Sequence, residues 1–289
     1  MPRVTVAIPT FNRRELLREA LDSVFAQTWT DFEVLVVDDG STDGTGEMVA
    51  AYGRPVRYVY QENRGDAAAR NRLIAEAQSP LIAWLDSDDR WLPEKLQRQI
   101  ARLQGADERT VVYGPKLSIE TDGRIAQSRR PAPPSGRITA ALFDNIFIPT
   151  PSVLIPTALL REAGGFDEQY RVCSDYRMWL VLSLTCTFLA IPEPLVACRR
   201  HVASLSSASS ASQGAKATML EEFYFELGGK DAVPRRQAMR RLADQCRKTA
   251  VLAHREGRRE EAFAWYRRSL GHRLTARSCL GYAARRLGL

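Results

Sequence analysis

Three aspartates within four residues, Asp86, Asp88 and Asp89, directly follow the apolar run Leu81–Leu85. Because this run lacks a helical repeat, it predicts a strand that is buried on both faces. Carboxylates this close repel one another unless a cation lies among them, and their hard oxygens suit Mg²⁺ or Mn²⁺. One interpretation is therefore a cation site at the end of this strand. The other is an acidic turn whose aspartates cap the following helix.

Polar and acidic residues also follow the neighbouring predicted strands. Val4–Ile8 ends at a proline, Phe32–Val37 ends at Asp38 and Asp39, and Val56–Tyr60 is followed by a polar segment. Helical spacing of apolar residues between these strands predicts a parallel, doubly wound α/β sheet, in which ligands bind at the carboxyl ends of the strands. Neither GxGxxG nor GxxxxGK[ST] occurs, so neither a dinucleotide fingerprint nor a P-loop explains this edge.

The pattern changes after Gln104. The runs Thr110–Gly114 and Leu117–Thr121, turning at Asp122-Gly123, predict an antiparallel hairpin, and short strands and helices continue to about residue 202. Residues 203–215 are almost wholly Ser and Ala, which predicts a flexible loop that serves as a lid or as a linker. Residues 216–289 read as helical throughout, with one pair of helices resembling a tetratricopeptide hairpin. We expect a domain over 1–202, the loop over 203–215 and a helical extension over 216–289.

Charge is distributed unevenly along the chain. The segment Arg235–Leu289 carries 15 Lys and Arg against 4 Asp and Glu, a net charge of +11, whereas residues 1–234 carry −4. This asymmetry suggests an anionic surface or partner. Because Phe263, Trp265 and Tyr266 lie among the basic residues, anionic membrane lipids are one candidate partner, and a solvated basic face is the alternative. No nucleic-acid partner is expected, since no recognisable motif is present.

Composition also bears on the cellular compartment. The sequence has no run of 18 apolar residues, and its N-terminus lacks the apolar length of a signal peptide, so a cytoplasmic protein is expected. The five cysteines have no CxxC spacing and an odd count, which suggests neither a zinc site nor a disulfide framework.

Several motifs together resemble the family-2 glycosyltransferases with the GT-A fold. They are VAIPTFNR at Val6–Arg13, VVDDGSTDG at Val36–Gly44, NRG and ARN within Asn63–Asn71, LDSDD at Leu85–Asp89, and the later Gly165–Asp167 and Ser174–Asp175. The resemblance extends to about residue 200 and leaves out the helical extension. It implies a Rossmann-like, mostly parallel sheet with helices on both faces. The nucleotide-sugar half would span about 1–104 and the acceptor half about 105–202.

The same resemblance implies a reaction: transfer of a sugar from a nucleotide-sugar, with UDP- or dTDP-sugars favoured, to an acceptor hydroxyl with inversion. A saccharide or glycolipid would be the acceptor, in cell-surface polysaccharide or glycolipid synthesis, in the cytoplasm or peripherally at the inner face of the membrane. By position, the donor would be bound by Pro9, Thr10, Phe11, Asp39, Asn63, Arg70, Asp86, Ser87 and Asp88. Asp86, Asp88 and His201 would hold Mg²⁺ or Mn²⁺, and Asp175 would be the general base.

Two positions depart from the family pattern. Ser174 stands where relatives usually have an acid, and Val181 stands where they often have Arg. Both differences affect the pKa expected for Asp175 and the way the acceptor is held.

Two alternative functions fit the sequence less well. A nucleotidyltransferase would need a Gly-rich, Lys-containing loop after the first strand, and Pro9–Asn12 is not one. A catalytically impaired, nucleotide-sugar-binding scaffold recruited by its basic tail is the other alternative, and the full set of acids argues against it.

Overall fold

The computed structural model describes residues 3–120, 123–126, 132–199, 209–274, 278–279 and 282. Packing divides the chain into two compact units. The first, which we call the sheet unit, comprises Met1–Ile138, Phe147–Arg171 and Thr185–Arg200. The second, the helical unit, comprises Thr139–Ile146, Val172–Leu184 and His201–Leu289.

The sheet unit contains all the strands of the described residues. They are β1 (Val4–Thr10), β2 (Phe32–Asp38), β3 (Arg57–Tyr60), β4 (Leu81–Trp84), β5 (Arg90–Trp91), β6 (Thr110–Tyr113), β7 (Lys116–Ile119), β8 (Ile125–Ala126), β9 (Leu154–Pro156), β10 (Thr187–Ala190) and β11 (Val196–Arg199). Its helices are α1 (Arg14–Phe25), α2 (Thr45–Ala50), α3 (Asp66–Glu76), α4 (Lys95–Leu103) and α6 (Thr157–Glu162).

The main sheet has the order β10-β6-β9-β4-β1-β2-β3. Strand β1 is parallel to both of its neighbours, β2 and β4, with Val4 opposite Phe32 on one side and Leu81 on the other. Strand β9 is antiparallel to β4 and β6. The predicted α/β fold with a mostly parallel sheet is therefore confirmed. Because β1, β2 and β4 are parallel neighbours, the polar residues after them meet at one edge.

The hairpin predicted over residues 110–121 is wrong, because β6 and β7 lie in different sheets. A smaller sheet has the order β5-β11-β7-β8, in which β7 is parallel to β11 and antiparallel to β8. The chain leaves β6 at Gly114, where a Cβ atom would lie 3.2 Å from the Ile191 carbonyl oxygen. Pro115, between β6 and β7, has no backbone N–H and so cannot donate a hydrogen bond between the two strands.

The helical unit contains two helices from the predicted acceptor half. It consists of α5 (Thr139–Asp144), α7 (Ser174–Ser183), α8 (Ser210–Phe225), α9 (Gly229–Ala232), α10 (Arg235–Arg255) and α11 (Arg259–His272). Tyr176 on α7 donates its hydroxyl to the Leu142 carbonyl at 2.7 Å, and Arg177 pairs with Glu222 on α8 at 2.8 Å. These contacts explain why the division differs from the predicted boundary at residue 202. Among the described helices, none is long and apolar enough to cross a membrane.

The Ser/Ala segment differs from its prediction as a flexible loop over 203–215. From Ser210 onward it forms the first turns of α8, and the Ser209 hydroxyl caps that helix by accepting from the Ser212 N–H. Its small residues replace an apolar face: a Cβ atom on Gly214 would lie 2.9 Å from the Trp265 ring of α11. Residues 203–208 lie outside the described part of the chain.

One carboxylate joins three helices of this unit. Glu221 on α8 pairs with Arg268 and with His272 Nε2 on α11, and it lies 3.7 Å from the Cys246 sulfur on α10. The side chain of Glu221 is only 10% exposed. Burial opposes its ionisation, but the hydrogen bonds from His272 and Arg268 outweigh burial and hold the pKa of Glu221 below its ordinary value. Since Arg268 supplies the compensating charge, the cluster acts as an ion-paired anchor between helices.

Candidate active site

The turn after β1 is tied to the turn after β2. Asn12 has a left-handed backbone (φ 50°). Its N–H donates to the Ser41 hydroxyl at 2.8 Å, and its amide oxygen accepts from the Thr42 N–H at 2.8 Å. Of the residues predicted to bind the nucleotide here, Thr10 is buried whereas Phe11 is 45% exposed. The aromatic ring of Phe11 is therefore available at the carboxyl end of the sheet.

Asp39 organises the next part of this edge. Its carboxylate accepts from the Gln61 side chain at 2.7 Å and from the Arg64 and Gly65 N–H groups at 2.9 and 2.7 Å. The carboxylate thereby fixes the loop that carries Asn63. Gly40 makes this approach possible, because a Cβ atom there would lie 2.9 Å from the Asn63 nitrogen. The structure thus brings Asp39 and Asn63 together beside the end of β1.

Arg70 lies beneath Asp86, with only 6% of its side chain exposed. The guanidinium contacts Asp86 at 2.6 Å and Asp66 at 2.8 Å, and it lies over the ring of Trp84 at 5.5 Å. Burial alone would lower the pKa of Arg70, but Asp66 and Asp86 raise it above its ordinary value, so the group stays charged. Burial in turn raises the pKa of Asp86, although Arg70 opposes the shift. Arg70 is therefore a permanent counter-ion of Asp86.

The other two aspartates have different surroundings. Asp88 Oδ2 lies 2.9 Å from Nη1 of Arg13, the N-cap residue of α1, which was not among the predicted binding residues. Asp89 accepts from the Arg199 N–H of β11 at 2.9 Å. Burial, assisted by the charges of Asp86 and Asp88, raises the pKa of Asp89 to about 8. Asp89 therefore stabilises the conformation of the loop, and so does the buried Ser87.

This donor set fits a divalent cation that is shared with a substrate. Asp86 already gives one oxygen to Arg70, whereas Asp88 pairs with Arg13, a long side chain that is 38% exposed. Mg²⁺ in particular is usually held by one or two carboxylates together with substrate phosphates. Asp88, with Asp86 beside it, offers that arrangement. His201, the third predicted metal ligand, lies outside the described residues.

Asp175 belongs to the helical unit. It lies in the first turn of α7, after Cys173, whose left-handed backbone (φ 69°) is costly for a residue with a side chain. Asp175 accepts from the Tyr176 N–H at 2.7 Å and is partly exposed. Burial and Arg241 lower the pKa of Lys216 on α8, while Cys173 and Asp175 oppose that shift. The cation near Asp175 therefore comes from α8, and not from position 181.

A family comparison decides the identity of the chain. The model of Glycosyl transferase family 2 matches residues 5–160, which include every aspartate of the sheet edge described above. The chain belongs to this family.

Two curated relatives illustrate its position in the family. The uncharacterized glycosyltransferase RP339 of Rickettsia prowazekii is 30% identical over 213 residues, which are 71% of this chain and 66% of that protein. The succinoglycan biosynthesis protein ExoO of Rhizobium meliloti is 28% identical over 89% of this chain and 75% of its own length. Several other Rickettsia relatives match over only 27 to 31% of their length. This member of the family therefore has a homologue in polysaccharide biosynthesis.

Solved structures share the fold. The 1–349 fragment of S. aureus TarS in complex with UDP has a TM-score of 0.62 at 19% identity, covering 99% of this chain and 92% of that one. The mannosyltransferase PcManGT of Pyrobaculum calidifontis, in complex with GDP-Man and Mn²⁺, has a TM-score of 0.61 at 21% identity, covering 99% and 80%. The predicted GT-A fold is confirmed.

Proposed function

We propose that the protein is an inverting glycosyltransferase that moves a sugar from a nucleotide-sugar to an acceptor hydroxyl with the help of a divalent metal ion. The observation that carries this proposal is the edge of the sheet where Asp39 follows β2, and Asp86 and Asp88 follow β4, on either side of the parallel strand β1, with Arg70 of α3 paired to Asp86. A UDP- or dTDP-sugar is the favoured donor, and TarS, which shares the fold, was solved with UDP.

The nucleoside would lie over the ends of β1 and β2. The backbone of Pro9 and Thr10, the exposed ring of Phe11 and the carboxylate of Asp39 with its neighbour Asn63 supply polar and stacking groups there. Arg70 would act by holding Asp86, which reaches the ribose or the metal, and Ser87 lies between the two aspartates. The carboxylates of Asp39 and Asp86 are held by hydrogen bonds and an ion pair before substrate arrives, which limits the entropy lost on binding.

Mg²⁺ or Mn²⁺ would be held by Asp88 and Asp86, with His201 as a predicted further ligand. PcManGT, which has a similar fold, was solved with Mn²⁺. When bound, such an ion stabilises the negative charge that develops on the leaving nucleoside diphosphate. The protein contributes the carboxylates and their orientation, since Arg70 and the Arg199 backbone hold the loop on both sides of Asp88.

Asp175 is proposed as the general base. An acceptor hydroxyl is a poor nucleophile until its proton is removed, and a positioned carboxylate contributes roughly 10²–10⁴-fold to the rate. Asp175 lies in the first turn of α7 and is partly exposed. Lys216 on α8 interacts electrostatically with Asp175 within the helical unit.

The acceptor is proposed to be a saccharide or glycolipid used in cell-surface polysaccharide or glycolipid synthesis, in keeping with the name of ExoO. The net charge of +11 over Arg235–Leu289 supports a cytoplasmic protein that associates peripherally with the anionic inner face of the membrane. No nucleic-acid partner is proposed.

The test is the release of nucleoside diphosphate from a panel of UDP-, dTDP- and GDP-sugars with Mn²⁺, Mg²⁺ or EDTA. We expect one donor to be turned over with a metal ion and not with EDTA. If no donor is bound or turned over with either metal, the proposal fails and the scaffold alternative replaces it.

A further inference from the structure

Two arginines neutralise the metal-site carboxylates, and they are held very differently. Arg70 is 6% exposed and pairs with Asp66 as well as Asp86. Arg13 is 38% exposed and reaches Asp88 from the N-cap position of α1, with 2.9 Å between Nη1 and Oδ2. Arg70 is therefore part of the packed interior, whereas the guanidinium of Arg13 is open to exchange.

The backbone of Arg13 is fixed on both sides. Asn12 before it makes two hydrogen bonds to the turn after β2, and the Arg14 N–H donates to the Asp43 carboxylate at 3.0 Å. The Arg13 carbonyl accepts from the Leu17 N–H at 2.8 Å as part of α1. The backbone of Arg13 is therefore held in place beside Asp88, and its side chain is the part that can change partners.

Asp88 lies among other carboxylates, so a cation beside it is stabilising. Asp86 and Asp89 lie close enough for the Asp88 charge to raise the pKa of both. The Asp88 side chain is 10% exposed and that of Arg13 is 38% exposed, so the exchangeable partner of the pair is the guanidinium. A divalent ion carries twice the charge of the guanidinium and can displace it from Asp88, and an anion that the metal brings is then a new partner for Arg13.

We propose that Arg13 is the counter-ion of Asp88 in the metal-free protein and that, once a divalent ion displaces it, it binds the diphosphate of the donor. The proposal rests on the proposed function for the identity of that diphosphate. The guanidinium offers a planar fork of donors that matches phosphate oxygens. Arg13 would thus reduce the repulsion between the aspartates when no metal is bound, and would favour a donor with a diphosphate when the metal is bound.

The first test is Mn²⁺ binding without nucleotide, measured by electron paramagnetic resonance of the free ion. Arg13→Met removes the competing charge at similar length, so it should bind Mn²⁺ roughly three- to tenfold more tightly than the wild type. Arg18→Met removes the same charge from the exposed face of the same helix and should match the wild type. An unchanged or weaker affinity in Arg13→Met would overturn the counter-ion role.

The second test is calorimetric binding of UDP, dTDP and GDP in the presence of Mn²⁺. Arg13→Met should lose about tenfold or more in affinity for the preferred nucleotide. The affinity of Arg13→Lys should lie between those of Arg13→Met and the wild type, because lysine keeps the positive charge but lacks the planar set of guanidinium donors. Equal affinities of Arg13→Met and wild type would overturn the diphosphate role. If the wild type binds Mn²⁺ through Asp88 but no nucleoside diphosphate, the proposed function and the diphosphate role both fail, while the Mn²⁺ affinities still decide the counter-ion role.

Discussion

Replacing Arg70 by Met would test the ion pair beneath the sheet edge. The variant keeps the apolar stem over the Trp84 ring but leaves Asp86 without its cation, close to Asp88. Removing one partner of a buried pair costs about 3–5 kcal/mol. Because Asp86 retains 28% side-chain exposure, we expect the lower end, about 3 kcal/mol of unfolding free energy at pH 7.

The pH dependence has a definite sign. The pKa of Asp86 is already raised in the fold, and loss of Arg70 removes an interaction that lowers it. A carboxyl group with a raised folded pKa stabilises the fold when it is protonated, so the deficit of Arg70→Met should shrink as pH falls towards 5. Arg70→Met/Asp86→Asn, which removes the unpaired charge, should recover part of the loss.

The assay is urea denaturation in EDTA at pH 7 and pH 5, with Arg72→Met on the exposed face of the same helix as the control. Arg72→Met should lie within about 0.5 kcal/mol of the wild type. A loss below about 1 kcal/mol for Arg70→Met, or a double variant no more stable than the single one, would refute the reasoning.

Three further changes test the packing of each unit. Glu221→Gln removes the anchor between α8, α10 and α11 and should cost about 2 kcal/mol in thermal unfolding, whereas Glu226→Gln at the exposed end of α8 should cost little. Gly214→Val places atoms against an indole 2.9 Å away and should cost about 1–3 kcal/mol, while Gly271→Val meets nothing within 4 Å and should cost less than about 1 kcal/mol. In the wild type, the folded pKa of Asp89 is about 8, so its carboxyl group stabilises the fold only when protonated, and the free energy of unfolding falls between about pH 4 and pH 8. In Asp89→Asn this decrease should be smaller. A slope equal to that of the wild type in EDTA would contradict this last expectation.

The central sheet was predictable because its strands are short and mostly apolar. Val4–Ile8, Phe32–Val37 and Leu81–Leu85 contain only Thr5 and Glu33 as polar residues, and all three runs lie in the parallel part of the sheet. Local patterns fail where a residue's partner is distant. Asn12 and Glu15 have the spacing of a capping box, yet Asp43 from the next turn caps α1 at the Arg14 N–H, and Asn12 bonds to Ser41 and Thr42 instead.

The helical unit shows a second limit of sequence patterns. The Ser/Ala segment has no apolar periodicity, because its burial depends on small residues that admit Trp265 and on Gln245, which donates to the Gln213 carbonyl. At the sheet edge, the motifs indicated Asp86, Asp88 and Arg70, but nothing in the spacing of Arg13 from Asp88 predicts their ion pair. That contact depends on the parallel register of β1 and β4, which brings residues 75 positions apart to the same edge.

The most direct test of the central claim compares Asp88→Asn with Asp175→Asn on the donor that the wild type turns over. We expect Asp88→Asn to lose metal-dependent donor binding, because the remaining amide is a poor ligand for Mg²⁺ or Mn²⁺. Asp175→Asn should bind the donor like the wild type but transfer sugar roughly 10²–10⁴-fold more slowly. Asp231→Asn, at an exposed position of the helical unit, should behave like the wild type in both assays. Full metal-dependent turnover by Asp88→Asn, or wild-type transfer by Asp175→Asn, would contradict the account.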